Sequence, residues 1–371
     1  MKRIAIIVPG GIGNGKFLQG VPSMVNLIER LSKDFEIVVY SLIKTEIKEV
    51  SKNYKLKSIP ACIKSPSWVK ALLLLPRFLI DHLLNRYDMV HAFWALPAGL
   101  LAVKLSKLLK IPCNVTLQGG ETANIPKINY GNILNERSKK KTLEVCKKAD
   151  KLVVLTNFQL AQLRSLGVHR DYIDIIPYGA EEKLFPFNKT KNFSAPYKFI
   201  HIANFTEVKD QETLLKVFKF ISEKIDCKLT MIGDDFLQGK IQKLVQDLGL
   251  KNVLFVDAVP HRELNKYLSD SHFMLHTSLH EAQAVVINEA MSSGVLVCGS
   301  RVGLLYDLTA DFCISADYGD YTTLAEKILE LISDKERIEK MRTAAYDWSV
   351  NHSASWTYEF YKKNYEKLTN N

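Results

Sequence analysis

Twelve short apolar runs, separated by helix-like segments, constrain this chain more than any other feature of it. In the first half they are RIAIIV, FEIVVYS, DMVHAFW, CNVTLQG, KLVVLT and YIDIIPYG. The second half has KFIHIAN, CKLTMIG, NVLFVDAV, HFMLHTS, GVLVCGS and DFCIS. The runs are rich in Val and Ile and nearly continuous in apolar character. That is the pattern of parallel strands buried on both faces. Between them VPSMVNLIERLS, QETLLKVFKFISEK and GKIQKLVQDLGL read as helices. A length of 371 residues points to two domains. The boundary falls in the polar stretch KLFPFNKTKNFSAPYK, Lys183 to Lys198, which has two prolines and no apolar period. The expected architecture is α/β, two doubly wound domains facing each other, over residues 1–185 and 186–350, with a final helix over 351–371 returning to the first domain. In open parallel sheets, ligands sit beyond the carboxyl ends of the strands. Two such sheets would place a ligand in the cleft between them.

Composition narrows the function classes. Hydrophobic residues make up 47% of the chain and charged residues 24%, which sets it among globular proteins. The net charge of +10 favours anionic partners. No nucleic-acid-binding signature accompanies it, so nucleic acid is not expected. The six cysteines are far apart and form no C-x-x-C, which argues against a disulfide or metal scaffold and for a reducing cytoplasm. Ile4 to Val8 is too short for the apolar core of a leader. The longest apolar region, Trp68 to Leu84, is interrupted by Lys70, Pro76, Arg77, Asp81 and His82 and should not span a bilayer. It reads as an amphipathic helix that packs within the protein or, alternatively, meets an anionic membrane through Lys70, Arg77 and Arg86.

The first strand runs into PGGIGNGKF. Gly10, Gly15 and Lys16 fit a phosphate-binding P-loop, but Phe17 stands where a metal-ligating hydroxyl is required. A dinucleotide fingerprint fails as well, because the second strand ends in Tyr40 and Ser41 without a following acid. What remains is a glycine-rich connection or a phosphate cradle of another kind.

The most informative stretch is SLHEAQAVVINEAMSSGVLVCGSRVG, Ser278 to Gly303. Glu281 follows a strand end. Glu289, eight residues on, lies on a helix that Gly294 terminates before the next strand. Eight helical residues span about 12 Å. That exceeds the ~5–9.5 Å between carboxylates flanking one glycosidic bond. The two acids suit different parts of one ligand.

This stretch resembles the E-x₇-E region of retaining glycosyltransferases of family four, the glycosyltransferase group 1 enzymes, which have the GT-B fold. The resemblance extends over nearly the whole chain. YDMVHAFWALPAGLLAVKLSKLLKIPCNVTLQGGE is similar to the family's N-domain core, and ADKLVVLTNFQLAQLRSLGV with IDIIPYGAEEKLF to its approach to the linker. HIANFTEVKDQETLLKVF, LTMIGDD and the segment from NVLFVDAV to SLHEA are similar to its C-domain in order and spacing.

The resemblance implies transfer of a sugar from a UDP- or GDP-sugar to a glycan or glycolipid, with retained anomeric configuration, in lipopolysaccharide or other surface polysaccharide synthesis. It assigns Glu281 to the donor hexose, Glu289 to the ribose hydroxyls and Lys209 to the diphosphate. Gly303 would approach the sugar phosphate, Val259 the base, and the loop bearing Gly11, Gly13 and Gly20 the diphosphate and donor sugar. No D-x-D occurs, so neither a metal nor another cofactor is expected. The enzyme would be cytoplasmic or peripheral on the inner membrane face.

The chain departs from the family at several places. Asn204 stands at a donor-binding position usually held by Arg, with Arg301 or Lys16 as compensating charges. Gln118-Gly119 replaces His-Gly, and Leu304 with Tyr306-Asp307 replaces the usual Gly-Pro-Glu pattern. His280 contacts the donor or caps its loop, and His91 either faces the ligand or is structural. A nucleotide-sugar-binding protein with weakened catalysis and a GT-B epimerase are the alternatives.

Overall fold

The computed structural model describes residues 1–47 and 51–370. Asn371, the last residue of the expected final helix, lies outside them. Every one of the twelve apolar runs contains a strand. The first unit holds β1 (Arg3–Val8), β2 (Glu36–Ser41), β3 (Lys55–Ser58), β4 (Met89–Phe93), β5 (Cys113–Thr116), β6 (Lys151–Val154) and β7 (Ile173–Ile175). The second holds β8 (Tyr197–Ile202), β9 (Cys227–Ile232), β10 (Val253–Val256), β11 (Phe273–His276), β12 (Leu296–Ser300) and β13 (Cys313–Ala316). The sheet orders are β3-β2-β1-β4-β5-β6-β7 and β10-β9-β8-β11-β12-β13. All pairings between these strands are parallel.

Burial on both faces explains the continuous apolar runs. Every residue of β1 is buried. Around it Val38, Val90 and Leu152 pack with the helical Leu74, Phe78 and Leu101. In the second unit Phe199, Leu229, Phe273 and Leu296 meet Leu214, Phe218 and Leu331. The added strand β3, KLKS, carries no apolar run. It occupies the edge, where lysines blunt pairing with another chain.

The compact units divide at Tyr178/Gly179, upstream of the polar stretch, and at Ser353/Ala354. Phe185 explains the first division. It is fully buried in the second unit beside Ile200, Met274 and Ile287, and its carbonyl accepts a hydrogen bond from Ser292 Oγ at 2.8 Å. One aromatic side chain therefore commits the start of the connection to the second core.

The last helix, Ala354–Asn370, belongs to the first unit. It packs on the helix Pro22–Leu31 and on β4. Tyr361 and Tyr365 are fully buried. Tyr361 Oη lies 2.9 Å from Thr116 Oγ1, and Tyr365 Oη lies 2.6 Å from His91 Nδ1. His91 Nε2 meets Thr116 Oγ1 at 2.9 Å. This corrects the reading of His91 as a ligand-facing residue. It lies within β4, is 0% exposed, and has both ring nitrogens engaged. Burial pushes its pKa down to about 3, so it stays neutral.

Removing the Tyr361 ring would open a cavity beneath this helix. Tyr361→Ala is expected to cost about 3–5 kcal/mol, read as a lower urea midpoint. An unchanged midpoint would show that the final helix is not integral to the unit.

Candidate functional site

The strand order reverses direction between β8 and β11 in the second sheet and between β1 and β4 in the first. A doubly wound sheet opens a crevice at such a point, beyond the carboxyl ends of the strands. In the second unit the chain leaves β8 through a turn at Glu207–Lys209 and leaves β11 through Thr277–Ala284. Both segments arrive at the reversal.

There Lys209 Nζ meets Glu281 Oε1 at 2.5 Å. The same carboxylate oxygen accepts from Ser278 Oγ at 2.6 Å and from His276 Nε2 at 3.0 Å. Burial pushes the Glu281 pKa up, but the Lys209 ammonium and His276 outweigh it and hold the carboxyl below the usual range. Glu281 is thus an ionised acid with 11% side-chain exposure. His201, fully buried, supports the arrangement: Nδ1 donates to the Leu275 carbonyl at 2.9 Å and Nε2 accepts from Gln211 Nε2 at 3.2 Å. Thr277 Oγ1 donates to the Asp210 carbonyl at 2.9 Å, tying the two loops together.

Gly303 closes the other side. It follows β12 with φ +55°, and a Cβ there would stand 2.6 Å from Glu281 Cβ. Both the backbone conformation and the close approach require glycine. Arg301, two residues earlier, faces Asp317 at 4.0 Å.

Glu289 has different neighbours. It lies on the helix Val285–Ser292, whose N-terminus has no side-chain cap. Its Oε1 is 2.6 Å from His261 Nε2. Burial pushes His261 down, but the Glu289 carboxylate overcomes this and raises its pKa. Phe185 meets the His261 ring edge-on at 5.4 Å, and Val259 packs on the apolar cluster that contains Ile287. The helix begins only at Val285, so Glu281 and Glu289 are not joined by eight residues of helix.

The structure therefore gathers Lys209, Glu281 and Gly303, and places Glu289 and Val259 in the same unit with His261 and the cluster around Ile287. Asn204 is exposed after β8, where its Oδ1 accepts from the Asp234 N–H at 3.2 Å. It contributes no charge. His280 is buried next to Glu281, and burial lowers its pKa to about 4. Sequence reasoning missed His276, Ser278 and His261. The signal for His276 was a polar residue closing the apolar run HFML.

In the first unit the glycine loop follows β1 at the reversal point. The Val21 N–H donates to Gly11 O at 2.8 Å and the Gly20 N–H to Asn14 O at 3.0 Å. At Gly20, φ is +62° and a Cβ would stand 1.9 Å from Gly11 O. Gly13 O accepts from the Glu46 N–H at 3.0 Å. The helix Pro22–Leu31 then starts with no side-chain cap, an arrangement suited to an anion. After β5, Gln118 Nε2 donates to Tyr178 Oη at 2.9 Å. The buried Glu121 carboxylate accepts from the N–H groups of Gln118 at 3.2 Å, Gly119 at 2.6 Å and Ala95 at 3.3 Å. Glu121 was also missed; it fixes the shape of the Gln118-Gly119 loop. Among the described residues, no group of three or more His, Cys, Asp or Glu could hold a metal ion.

Comparison with known proteins gives the following. Residues 183–348 match the family Glycosyl transferases group 1, and residues 54–179 match the Glycosyl transferase 4-like domain. An uncharacterized glycosyltransferase of Methanocaldococcus jannaschii is 23% identical over 93% of both chains. N-acetyl-alpha-D-glucosaminyl L-malate synthase of Bacillus anthracis is 32% identical over 37% of this chain, a match spanning 36% of that protein. The structure of Anabaena HepE in complex with UDP and glucose superposes with a TM-score of 0.78 at 13% identity, covering 99% of this chain and 100% of that one.

The raised His261 pKa depends on Glu289. The charged pair is present below the ordinary histidine pKa and is lost as pH rises through the raised value. Glu289→Gln leaves burial opposed only by the Glu181 charge, so the His261 pKa should fall. NMR titration of the imidazole reads this directly; an unmoved pKa would show that the contact does not govern it.

Proposed function

The chain belongs to the group 1 glycosyl transferases and has the GT-B fold, and we propose that it moves a sugar from a UDP- or GDP-sugar to a glycan or glycolipid with retention of configuration. The observation that carries this reading is the Lys209–Glu281 pair at the sheet's reversal point. One cation and one ionised acid meet where a doubly wound sheet takes its ligand.

In this reading Lys209 turns from Glu281 to the donor diphosphate and stabilises the charge that develops on the leaving group. Glu281, held ionised by His276 and the geometry around it, stabilises the oxocarbenium-like sugar. The departing phosphate oxygen takes the proton of the acceptor hydroxyl, and no covalent sugar–Glu281 bond forms. Glu289 receives the ribose hydroxyls, and His261 sets how readily its carboxylate is released to them. The uncapped start of Val285–Ser292 and the backbone at Gly303 would lie against the same anion. This division of labour needs no metal. The pathway favoured is surface polysaccharide or lipopolysaccharide assembly.

A second reading, a nucleotide-sugar-binding protein with weakened catalysis, is favoured by two observations. Asn204 leaves one cation out, and the amide of Gln118 is engaged with Tyr178. Turnover separates the two readings.

A ligand that binds the folded state raises the melting temperature. Among UDP, GDP, ADP, CMP, ATP and NAD, one nucleoside diphosphate should raise it without Mg²⁺, and Lys209→Ala and Glu289→Ala should each reduce that shift. A shift with ATP only in the presence of Mg²⁺ would overturn the assignment. With the matching donor and acceptor, Glu281→Gln should lower kcat on the order of 100-fold. EDTA should leave the rate nearly unchanged; strict metal dependence would overturn the proposed metal-free stabilisation by Lys209 and backbone N–H groups.

A further inference from the structure

The helix Ser67–Leu84 buries one side in the first unit through Leu74, Phe78 and His82. Its opposite side is also apolar. Trp68, Leu72, Pro76, Ile80 and Leu84 form one row at i, i+4 spacing, with Leu73 and Leu83 beside it. Trp68 is 70% exposed, Leu72 64%, Ile80 57%, Leu83 81% and Leu84 82%. A surface helix ordinarily turns charged residues outward. Here the helix has a single acid, Asp81, and that carboxylate is held by Lys57 Nζ at 2.6 Å and by Tyr40.

Cations border the apolar row. Arg77 is exposed on the helix, with Nη1 donating to the Ser58 carbonyl at 3.0 Å and the rest of its guanidinium left for other partners; Lys64 precedes the helix and Arg86 follows it. Lys70 is not among them: it is buried, and its Nζ donates to the Ile63 carbonyl at 3.1 Å. Ile63, beside Lys64, adds a further apolar side chain at 79% exposure.

We propose that this face docks on an anionic membrane surface, with the apolar row in the headgroup boundary and Lys64, Arg77 and Arg86 on lipid phosphates. An interfacial helix needs an apolar face, flanking cations and a water-facing side that is otherwise satisfied. The protein core supplies the third. Trp68 brings an amphipathic ring suited to that depth. The helix does not cross the bilayer: among the described residues no helix is long and apolar enough to do so. A second copy of the chain fits less well. The face is about 27 Å long and about 10 Å across, a footprint well under the ~800 Å² per partner of a standard interface. Self-pairing would also bring like charges together. The inference rests on this surface alone and holds whichever donor the enzyme uses.

The test is flotation of the full chain with phosphatidylcholine vesicles, with and without phosphatidylglycerol. The wild type should float with the anionic vesicles, less with neutral ones, and less at high salt. The combined variant Trp68→Ser, Ile80→Ser, Leu84→Ser should bind on the order of 100-fold more weakly. The pair Arg77→Gln, Arg86→Gln should lose the preference for phosphatidylglycerol. An unchanged nucleotide-induced melting shift in both variants would show that they are folded. Absence of wild-type flotation, or equal binding by the triple variant, would overturn the proposal. So would a concentration-dependent dimer that the triple variant abolishes, because a second copy would then own the face.

Discussion

Parallel pairing brings the carboxyl ends of all strands in a sheet to one edge, and this constraint organises both units. Once β8 and β11 lie side by side with their crossovers leaving in opposite directions, the loops that follow them must diverge. The space between them is lined by backbone whose partners the sheet does not provide. Lys209 and Glu281 occupy that space, and each is held by something the sheet positions. Lys209 comes from a turn anchored through Asp210 and Thr277, and Glu281 is met by His276 at the end of β11 itself. The chemistry is set by side chains, but their meeting is set by topology.

The two acids of the site illustrate how neighbours divide roles between identical groups. Glu281 shares its oxygen with an ammonium, an imidazole and a hydroxyl, which keep it charged despite burial. Glu289 has an imidazole partner whose own charge depends on pH. One carboxylate is fixed; the other is coupled to a titrating group. The proposed transfer would use such a difference, with Glu281 a constant charge at the sugar and Glu289 an acceptor that comes free when a ligand binds.

Much of this was legible in the sequence. Strands buried on both faces announce themselves, because apolar residues dominate them and only a few polar ones interrupt. Glu281 and Glu289 stood out for the same reason, as acids among apolar neighbours between two strand signals. The edge strand Lys55–Ser58 was not legible, since an edge needs neither length nor apolarity. His91 was misleading. In a strand apolar on both sides no alternation tells which face a residue takes, and its partner Tyr365 is 274 positions away. His261 lay outside the motif that drew attention to Glu289, and only the folded loop after β10 brings the two together. The connection was misplaced because its polarity was read across sixteen residues, while one buried ring, Phe185, decides which core it joins.

The final helix completes the first unit, yet it is translated only after the whole of the second. Until Tyr361 and Tyr365 leave the ribosome, Thr116 and His91 lack the hydroxyls that satisfy them and β4 has one face uncovered. The order of synthesis and the order of completion are therefore reversed. The C-terminal unit has its whole sequence before its predecessor receives the helix that completes it.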